Sequence, residues 1–268
     1  MTHEEIREKL SHVRCFLLDM DGTFYLGDQL IDGSLDFLDA LERTGRTARF
    51  LTNNSSKSSL VYQQKLRKMQ VGEKYTDVIT SGHAAARYCL NAFPGKRGFL
   101  MGNSMLREEL EGMGLKFTSG MDADYVLAAF DTTLDYAKMC VVCDLIREGK
   151  PYIATHPDFN CPTETGFVPD LGAMMALIKA STGRDADVII GKPHQGIVDE
   201  ALFRTGFSLD EMAMVGDRLY TDVATSVHHG MTGILVLSGE ATMEDVAVSD
   251  VKPHLIFGKL ADMIPYLD

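Results

Sequence analysis

The sequence predicts an α/β fold built on a mainly parallel sheet. Strand-like and helix-like segments alternate along the 268 residues, which is the pattern of parallel strands joined by crossover helices. Two apolar strand-like runs also end at or beside a carboxylate, at Leu17-Leu18-Asp19 and at Met214-Val215-Gly216-Asp217. The chain is longer than one domain usually is, so we expect one large domain or two smaller ones.

The first series of elements begins with a strand whose apolar run indicates burial on both faces. The helix after it is predicted because Leu35, Leu38 and Leu41 share one face and Gly45 follows as a stop. In chain order this series comprises a strand at 14–19, a helix at 34–43, a strand at 47–51, a helix with Tyr62, Leu66 and Met69 on its inner face, and a strand at 78–80.

A second series of alternating elements follows and is expected to form a smaller domain. It comprises strands at 98–102, 124–130 and 152–154, helices at 104–111, 136–148 and 172–182, and a turn-rich loop at 155–166. A third series is expected to complete the sheet of the first one. It comprises strands at 187–190, 212–215, 233–237 and 254–257, with a helix after each of the first two strands.

The composition argues against nucleic acid and membrane partners. The formal net charge is -12, and no cluster of Lys and Arg is present to bind a phosphate backbone. No apolar run approaches the roughly 18 to 20 residues that a membrane helix needs. Five cysteines at irregular spacing do not suggest a disulfide framework, so we expect a cytoplasmic protein.

The segment Asp19-Met20-Asp21-Gly22-Thr23 places two carboxylates at the end of the first strand. Asp and Gly are also common turn formers, so the segment taken alone is either a turn or a site. A helix-loop-helix calcium loop is excluded, because position 23 is Thr and position 30 is Leu where that loop needs ligands. The residues that follow the other strands are needed to distinguish a turn from a functional site.

Polar residues follow the other strands as well. They are Thr52 with Asn53, Lys192, and Asp217 with Asp222. Each has a plain alternative, namely a helix cap, a solvated lysine, a turn residue or a charge at a helix N-terminus. Because open α/β sheets bind ligands at the carboxyl ends of their strands, the joint occurrence predicts one reaction centre there.

The motifs Asp-Met-Asp-Gly-Thr, Leu-Thr-Asn-Asn, Gly-Lys-Pro and Gly-Asp-Arg-Leu-Tyr-Thr-Asp resemble the four signature motifs of the haloacid dehalogenase superfamily. Within it the chain resembles the NagD-like and 4-nitrophenylphosphatase-like phosphatases, over essentially its whole length. The resemblance implies a Rossmann-like, doubly wound parallel core at 1–82 and 185–268, with an inserted α/β cap domain of type C2 at 83–184. A homodimer formed through the cap is also implied.

The same resemblance implies hydrolysis of phosphate monoesters with Mg²⁺ as the cofactor. A phosphate dianion repels an attacking carboxylate by about 4 kcal/mol per charge pair at about 4 Å and an effective dielectric of about 20, so the site must first neutralise charge. Asp19 is the expected nucleophile and forms an aspartyl-phosphate, and Asp21 is the expected acid and base. Asp19, Asp217 and the backbone carbonyl of Asp21 are the expected metal ligands.

Further roles follow for the remaining motif residues. Gly22, Thr52, Asn53 and Lys192 are expected to bind the phosphate, with Thr52 and Lys192 also stabilising the transferring group. Asp222 is expected to orient the water molecules bound to the metal, or Lys192, without binding the metal itself. The expected specificity residues are Asn54, His156, Asp158 and Asn160, each of which could instead serve a turn or a cap. His156 departs from the pattern of the resembling family, in which Asn is common at this position.

Two other functions stay open at this point. A mutase would need the phosphoryl intermediate to outlive attack by water, and a non-catalytic phosphate-binding protein would have no need of Asp21. The expected substrate is a small phosphorylated metabolite such as a sugar phosphate or a nucleotide.

Overall fold

The computed structural model describes residues 1–163 and 166–268. Its strands, in chain order, are β1 (Cys15–Leu18), β2 (Tyr25–Leu26), β3 (Gln29–Leu30), β4 (Thr47–Thr52), β5 (Val78–Thr80), β6 (Arg97–Met101), β7 (Lys116–Thr118), β8 (Tyr125–Ala128), β9 (Tyr152–Ala154), β10 (Asn160–Thr163), β11 (Gly166–Pro169), β12 (Val188–Ile189), β13 (Met212–Gly216), β14 (Thr232–Val236) and β15 (Leu255–Phe257).

The α-helices are α1 (His3–Ser11), α2 (Ser34–Arg43), α3 (Ser59–Lys68), α4 (Ser81–Ala92), α5 (Ser104–Gly112), α6 (Tyr136–Arg147), α7 (Leu171–Thr182), α8 (Gln195–Thr205), α9 (Ala224–His229) and α10 (Met243–Val248). Short 3₁₀ helices lie at Glu73–Tyr75, Leu209–Glu211 and Leu260–Tyr266, and a π-helical turn at Leu219–Val223 leads into α9. No helix in the described part of the chain has the length and apolarity to cross a bilayer.

Two compact units make up the chain. The first unit contains Met1–Thr52, Tyr62–Ile79 and Ala201–Asp268. Its sheet has the strand order β15-β14-β13-β1-β4-β5, and β1 lies parallel to both β13 and β4. The predicted α/β class with a parallel sheet is confirmed.

The centre of this sheet is apolar on both faces, as a parallel sheet covered by helices must be. All four residues of β1 are buried. Helix α2 has the predicted bounds and buries Phe37, Leu38 and Leu41 in the main core of the unit. The edge-to-face packing of Phe16 on Phe37, with ring centroids 5.5 Å apart, joins strand to helix.

The second unit contains Asn53–Val61 and Thr80–Glu200. Its five-stranded sheet has the order β12-β9-β8-β6-β7, with parallel pairing throughout, and β10 and β11 pair antiparallel in a separate two-stranded sheet. The domain boundaries at 82/83 and 184/185 stay a prediction.

Two local expectations differ from the structure of this unit. The strand predicted at 187–190 was placed in the first sheet, but β12 pairs with β9, and Asp187 accepts a hydrogen bond from the Tyr152 backbone at 2.7 Å. The pairing of β12 with β9 determines to which sheet this strand belongs. The apolar residues of the strand itself do not encode that long-range pairing. The loop predicted at 155–166 contains the strand β10, and its residues Glu164 and Thr165 lie outside the described residues.

Candidate active site

Three carboxylates gather at the carboxyl ends of the adjacent strands β1 and β13. Asp19 follows β1 and donates its backbone N–H to Val215 at 2.9 Å, and Asp217 follows β13. Ligand oxygens of Asp19, Asp217 and Asp222 lie within 4.8 Å of one another. Asp217 and Asp222 are buried and Asp19 is half-buried, so their mutual repulsion is weakly screened by water.

Glycines make room for this cluster. A Cβ at Gly22, whose φ is +83°, would lie 2.4 Å from Asp217 Oδ2, and one at Gly239 would lie 2.1 Å from the same oxygen. A Cβ at Gly216 would lie 2.2 Å from Asp222 Cγ. The sequence pointed to Gly22 as part of a turn, but no motif signalled Gly239.

The turn after β1 is held from two sides. Gly22 donates its N–H to the Tyr25 carbonyl at 2.8 Å, and its own carbonyl accepts from Ser238 Oγ at 2.7 Å. Asp21 is exposed and forms a β-bridge with Tyr25. The predicted acid and base therefore lies on the solvent side of a firmly held turn.

Burial and like charge raise the pKa of Asp217 to about 7. Desolvation is the larger cause, followed by the negative charges of Asp19 and Asp222. Burial by itself lowers the pKa of the Arg218 guanidinium, but the negative charge of Asp19 raises this pKa above its ordinary range. Arg218 thus stays charged and offsets part of the negative potential, while Glu240 contacts it at 2.9 Å.

The carboxylate cluster fits a hard divalent cation. Asp217 Oδ2 accepts from the Glu240 backbone at 2.8 Å, but Asp217 Oδ1 is buried and has no hydrogen-bond partner. An unpartnered buried carboxylate oxygen is costly, and a bound metal ion would supply the missing interaction. Asp222 Oδ2 accepts from the Arg218 backbone at 3.1 Å, which ties its carboxylate to the loop after β13.

The remaining predicted residue of the first unit is Thr52. It is the last residue of β4, which neighbours β1 in the sheet, and its side chain is buried. The first unit therefore brings Asp19, Gly22, Asp217 and Asp222 together.

A second group of predicted residues gathers within the second unit around Asn53. Its Oδ1 accepts from the Lys192 backbone N–H at 2.7 Å, and its Nδ2 donates to the Lys192 carbonyl at 3.0 Å. The same Nδ2 lies 3.2 and 3.3 Å from the two carboxylate oxygens of Asp158. Asn53 and Lys192 are buried, and the Lys192–Pro193 peptide bond is cis.

His156 is fully buried, and both of its ring nitrogens have partners. Nε2 lies 2.9 Å from Asp170 Oδ1, and Nδ1 lies 3.0 Å from Thr155 Oγ1. Thr155 in turn contacts Ser55 Oγ at 3.0 Å. This placement favours a structural role for the imidazole over direct contact with a leaving group, and its partner Asp170 was not predicted from the sequence.

The other two predicted specificity residues have different surroundings. Asn54 Oδ1 accepts from the backbone and hydroxyl of Ser56 at 2.9 and 2.7 Å, which closes a local turn, and its Nδ2 contacts Cys161 Sγ at 3.6 Å. Asn160 is exposed at the start of β10, opposite Pro169. Asn160 is thus not brought into the Asn53 group by any described contact.

Comparison with known proteins assigns the family. Residues 16–116 match the haloacid dehalogenase-like hydrolase model, and residues 189–263 match the HAD-hydrolase-like model. An acid sugar phosphatase of Staphylococcus aureus is 35% identical over 259 residues, which cover 97% of this chain and 100% of the relative. The chain belongs to the haloacid dehalogenase-like hydrolase family.

Solved structures of this family support the same assignment. The 4-nitrophenylphosphatase of Thermotoga maritima has a TM-score of 0.92 and 44% identity, with 97% of this chain and 99% of that one covered. A glycerol phosphate phosphatase of Mycobacterium tuberculosis in complex with calcium has a TM-score of 0.87 and 28% identity, with 95% and 76% covered. The predicted superfamily, the resemblance to 4-nitrophenylphosphatases and the assignment as a phosphoric monoester hydrolase are confirmed.

Proposed function

We propose that this haloacid dehalogenase-like hydrolase is a Mg²⁺-dependent phosphatase of small phosphate monoesters that works through an aspartyl-phosphate on Asp19. One observation carries the proposal. The carboxylates of Asp19, Asp217 and Asp222 converge, and Asp217 leaves a buried oxygen without a hydrogen bond. Convergent carboxylates of this kind repel one another, and protons or a cation relieve that repulsion; a calcium complex is known for the glycerol phosphate phosphatase relative.

Asp19 and Asp217, with the backbone carbonyl of Asp21 that the resemblance adds, would hold the cation. When bound, it would offset the charge of the phosphate dianion against the nucleophile. A carboxylate oxygen of Asp19 attacks phosphorus, and the bond to the leaving oxygen breaks as Asp21 donates a proton to it. Asp21 then takes a proton from the water that hydrolyses the acyl phosphate.

Other residues of this chain would bind and stabilise the phosphoryl group. The roles that the resemblance gives to Thr52 and to backbone amides at Gly22 and Asn53 are those of preorganised donors. The resemblance likewise gives Lys192 the role of supplying a positive charge. A mutase needs an intermediate protected from water, and no contact in the described residues favours that alternative.

Sugar phosphates are the first substrates to test, because the Staphylococcus aureus relative is an acid sugar phosphatase. We place the enzyme in the cytoplasm, since five cysteines at irregular spacing do not suggest a disulfide framework. The homodimer through the cap is part of the proposal and is tested by measuring the mass of the native protein in solution.

The decisive experiment measures phosphate release from a panel of sugar phosphates, nucleotides, glycerol phosphate and pyridoxal phosphate, with Mg²⁺ and with chelator. Asp19→Asn should lower turnover by at least about 10³-fold while the protein stays folded, because the nucleophile is lost. The matched control is Asp250→Asn, an exposed aspartate remote from the cluster in sequence. Full activity of Asp19→Asn, or Mg²⁺-independent turnover, contradicts the proposal.

A further inference from the structure

The side chain of Asn53 binds the backbone of Lys192 on both sides of its Cα. Oδ1 accepts from the N–H at 2.7 Å, and Nδ2 donates to the carbonyl at 3.0 Å. Two hydrogen bonds from one rigid amide fix both peptide groups that flank the residue. These bonds restrain the backbone from which the Lys192 side chain projects, and little water reaches the contact because both residues are buried.

Neighbouring residues hold Asn53 in place. Ser81 Oγ donates to the backbone carbonyl of Asn53. Gly191 donates its N–H to the Thr155 carbonyl at 2.7 Å, and a Cβ at Gly191 would lie 2.5 Å from Asn53 Oδ1. The contact between Asn53 and Lys192 thus depends on a glycine immediately before the lysine.

The amide of Asn53 has a second partner in Asp158. Nδ2 carries two hydrogens, and its acceptors are the Lys192 carbonyl and the Asp158 carboxylate, at 3.0 Å and at 3.2 and 3.3 Å. Both hydrogens are therefore engaged within the second unit.

We propose that the Asn53 side chain is a positioning residue for Lys192, with Asp158 as its second anchor. The inference rests on the proposed function, in which Lys192 stabilises the transferring phosphoryl group. The Asn53 side chain acts through Lys192 and touches no reacting atom, so its removal should lower kcat while the KM for the substrate changes little.

Asn53→Asp is the sharpest test. The substitution keeps the shape and the acceptor, but it places a carboxylate oxygen against the Lys192 carbonyl and the Asp158 carboxylate. We expect kcat for nitrophenyl phosphate to fall about 30-fold. Asn53→Ser, which removes the amide without adding charge, should lower kcat in the same way and keeps the test valid if the aspartate variant does not fold.

The matched control is Asn103→Asp. Asn103 is also a buried asparagine of the second unit, and its Nδ2 donates to a backbone carbonyl, that of Ser56, at 2.7 Å. Its Oδ1 caps α5 through Leu106 N–H at 3.0 Å, a bond that aspartate keeps. This variant should change kcat less than about twofold.

A double-mutant cycle with Lys192→Ala separates positioning from a general loss of structure. If Asn53 acts through the lysine, Asn53→Asp should change kcat less than about twofold once Lys192 is alanine. Multiplicative losses in the double variant, or an equal loss in Asn103→Asp, would overturn the inference alone. A Lys192→Ala enzyme as active as the wild type would overturn the role of Lys192 in the proposed function and the inference with it.

Discussion

Replacing Asp217 by asparagine should stabilise the metal-free protein. Ligand oxygens of Asp19, Asp217 and Asp222 lie within 4.8 Å of one another. At an effective dielectric of about 20, two unit charges at that separation repel by about 3 kcal/mol. Asp217→Asn removes two of the three repelling pairs, while its carbonyl can still accept from the Glu240 backbone.

Part of that repulsion is already offset by Arg218, so we expect a net gain of about 2 kcal/mol in the free energy of unfolding at pH 8 with chelator. For a chain of this size, that gain raises the melting temperature by about 5 °C. The assay is thermal unfolding of wild type and variant, with Asp250→Asn as the control for loss of one exposed charge.

The sign of the pH dependence follows from the raised pKa of Asp217. Because the folded state holds this proton more tightly than the unfolded state, its stabilising contribution is present at acid pH and is lost as the pH rises toward about 7. The stability difference between Asp217→Asn and wild type should therefore grow over that range and level off above it.

Added Mg²⁺ should reverse the order of stability. A cation that binds the folded state at about 100 times its Kd stabilises by about 2.7 kcal/mol, and it binds best to the deprotonated cluster. The wild type should gain melting temperature with Mg²⁺, more at pH 8 than at pH 5, and Asp217→Asn should not. An asparagine variant that is less stable than wild type in chelator at pH 8, or that keeps the full Mg²⁺ response, would refute this reasoning.

Two glycine substitutions extend the predictions. Gly239→Ala places a Cβ 2.1 Å from Asp217 Oδ2 and should weaken Mg²⁺ activation about tenfold, measured as the Mg²⁺ concentration for half-maximal rate, whereas Gly112→Ala, with nothing within 4 Å, should not. Gly191→Ala pushes on Asn53 Oδ1 and should destabilise the protein by about 1–3 kcal/mol and lower kcat with little change in KM. Wild-type kinetics in either crowded variant would contradict the geometry.

Local sequence patterns predicted a helix or strand well where the pattern also marked its ends. For α2, the apolar stripe indicated the helix and the glycine after it indicated where the helix ends. Residues 187–190 were recognised as strand-like, but apolarity does not name a pairing partner. The alignment of Val188 with Ile153 in the second sheet is a long-range property.

The candidate site also combines features that the sequence predicted with features that depend on long-range contacts. The closeness of Asp19 and Asp217 followed from a rule about the carboxyl ends of parallel strands. The approach of Gly239 to Asp217 depends on the loop after β14, and glycine occurs 24 times in this sequence, so composition gave no signal. The burial of His156 depends on Asp170, fourteen residues away, which no motif singled out.

The attachment of Asn53 to Lys192 has a consequence for building chimeric phosphatases. Asn53–Val61 belongs with Thr80–Glu200, and the hydrogen bonds of Asn53 and Ser55 to Lys192 and Thr155 join these segments. If residues 80–200 alone were transplanted, Lys192 would come from the donor protein. The segment 53–61, which contains Asn53, would come from the recipient. The smallest exchangeable module is therefore discontinuous in sequence, and successful shuffling between relatives requires both pieces from the same parent.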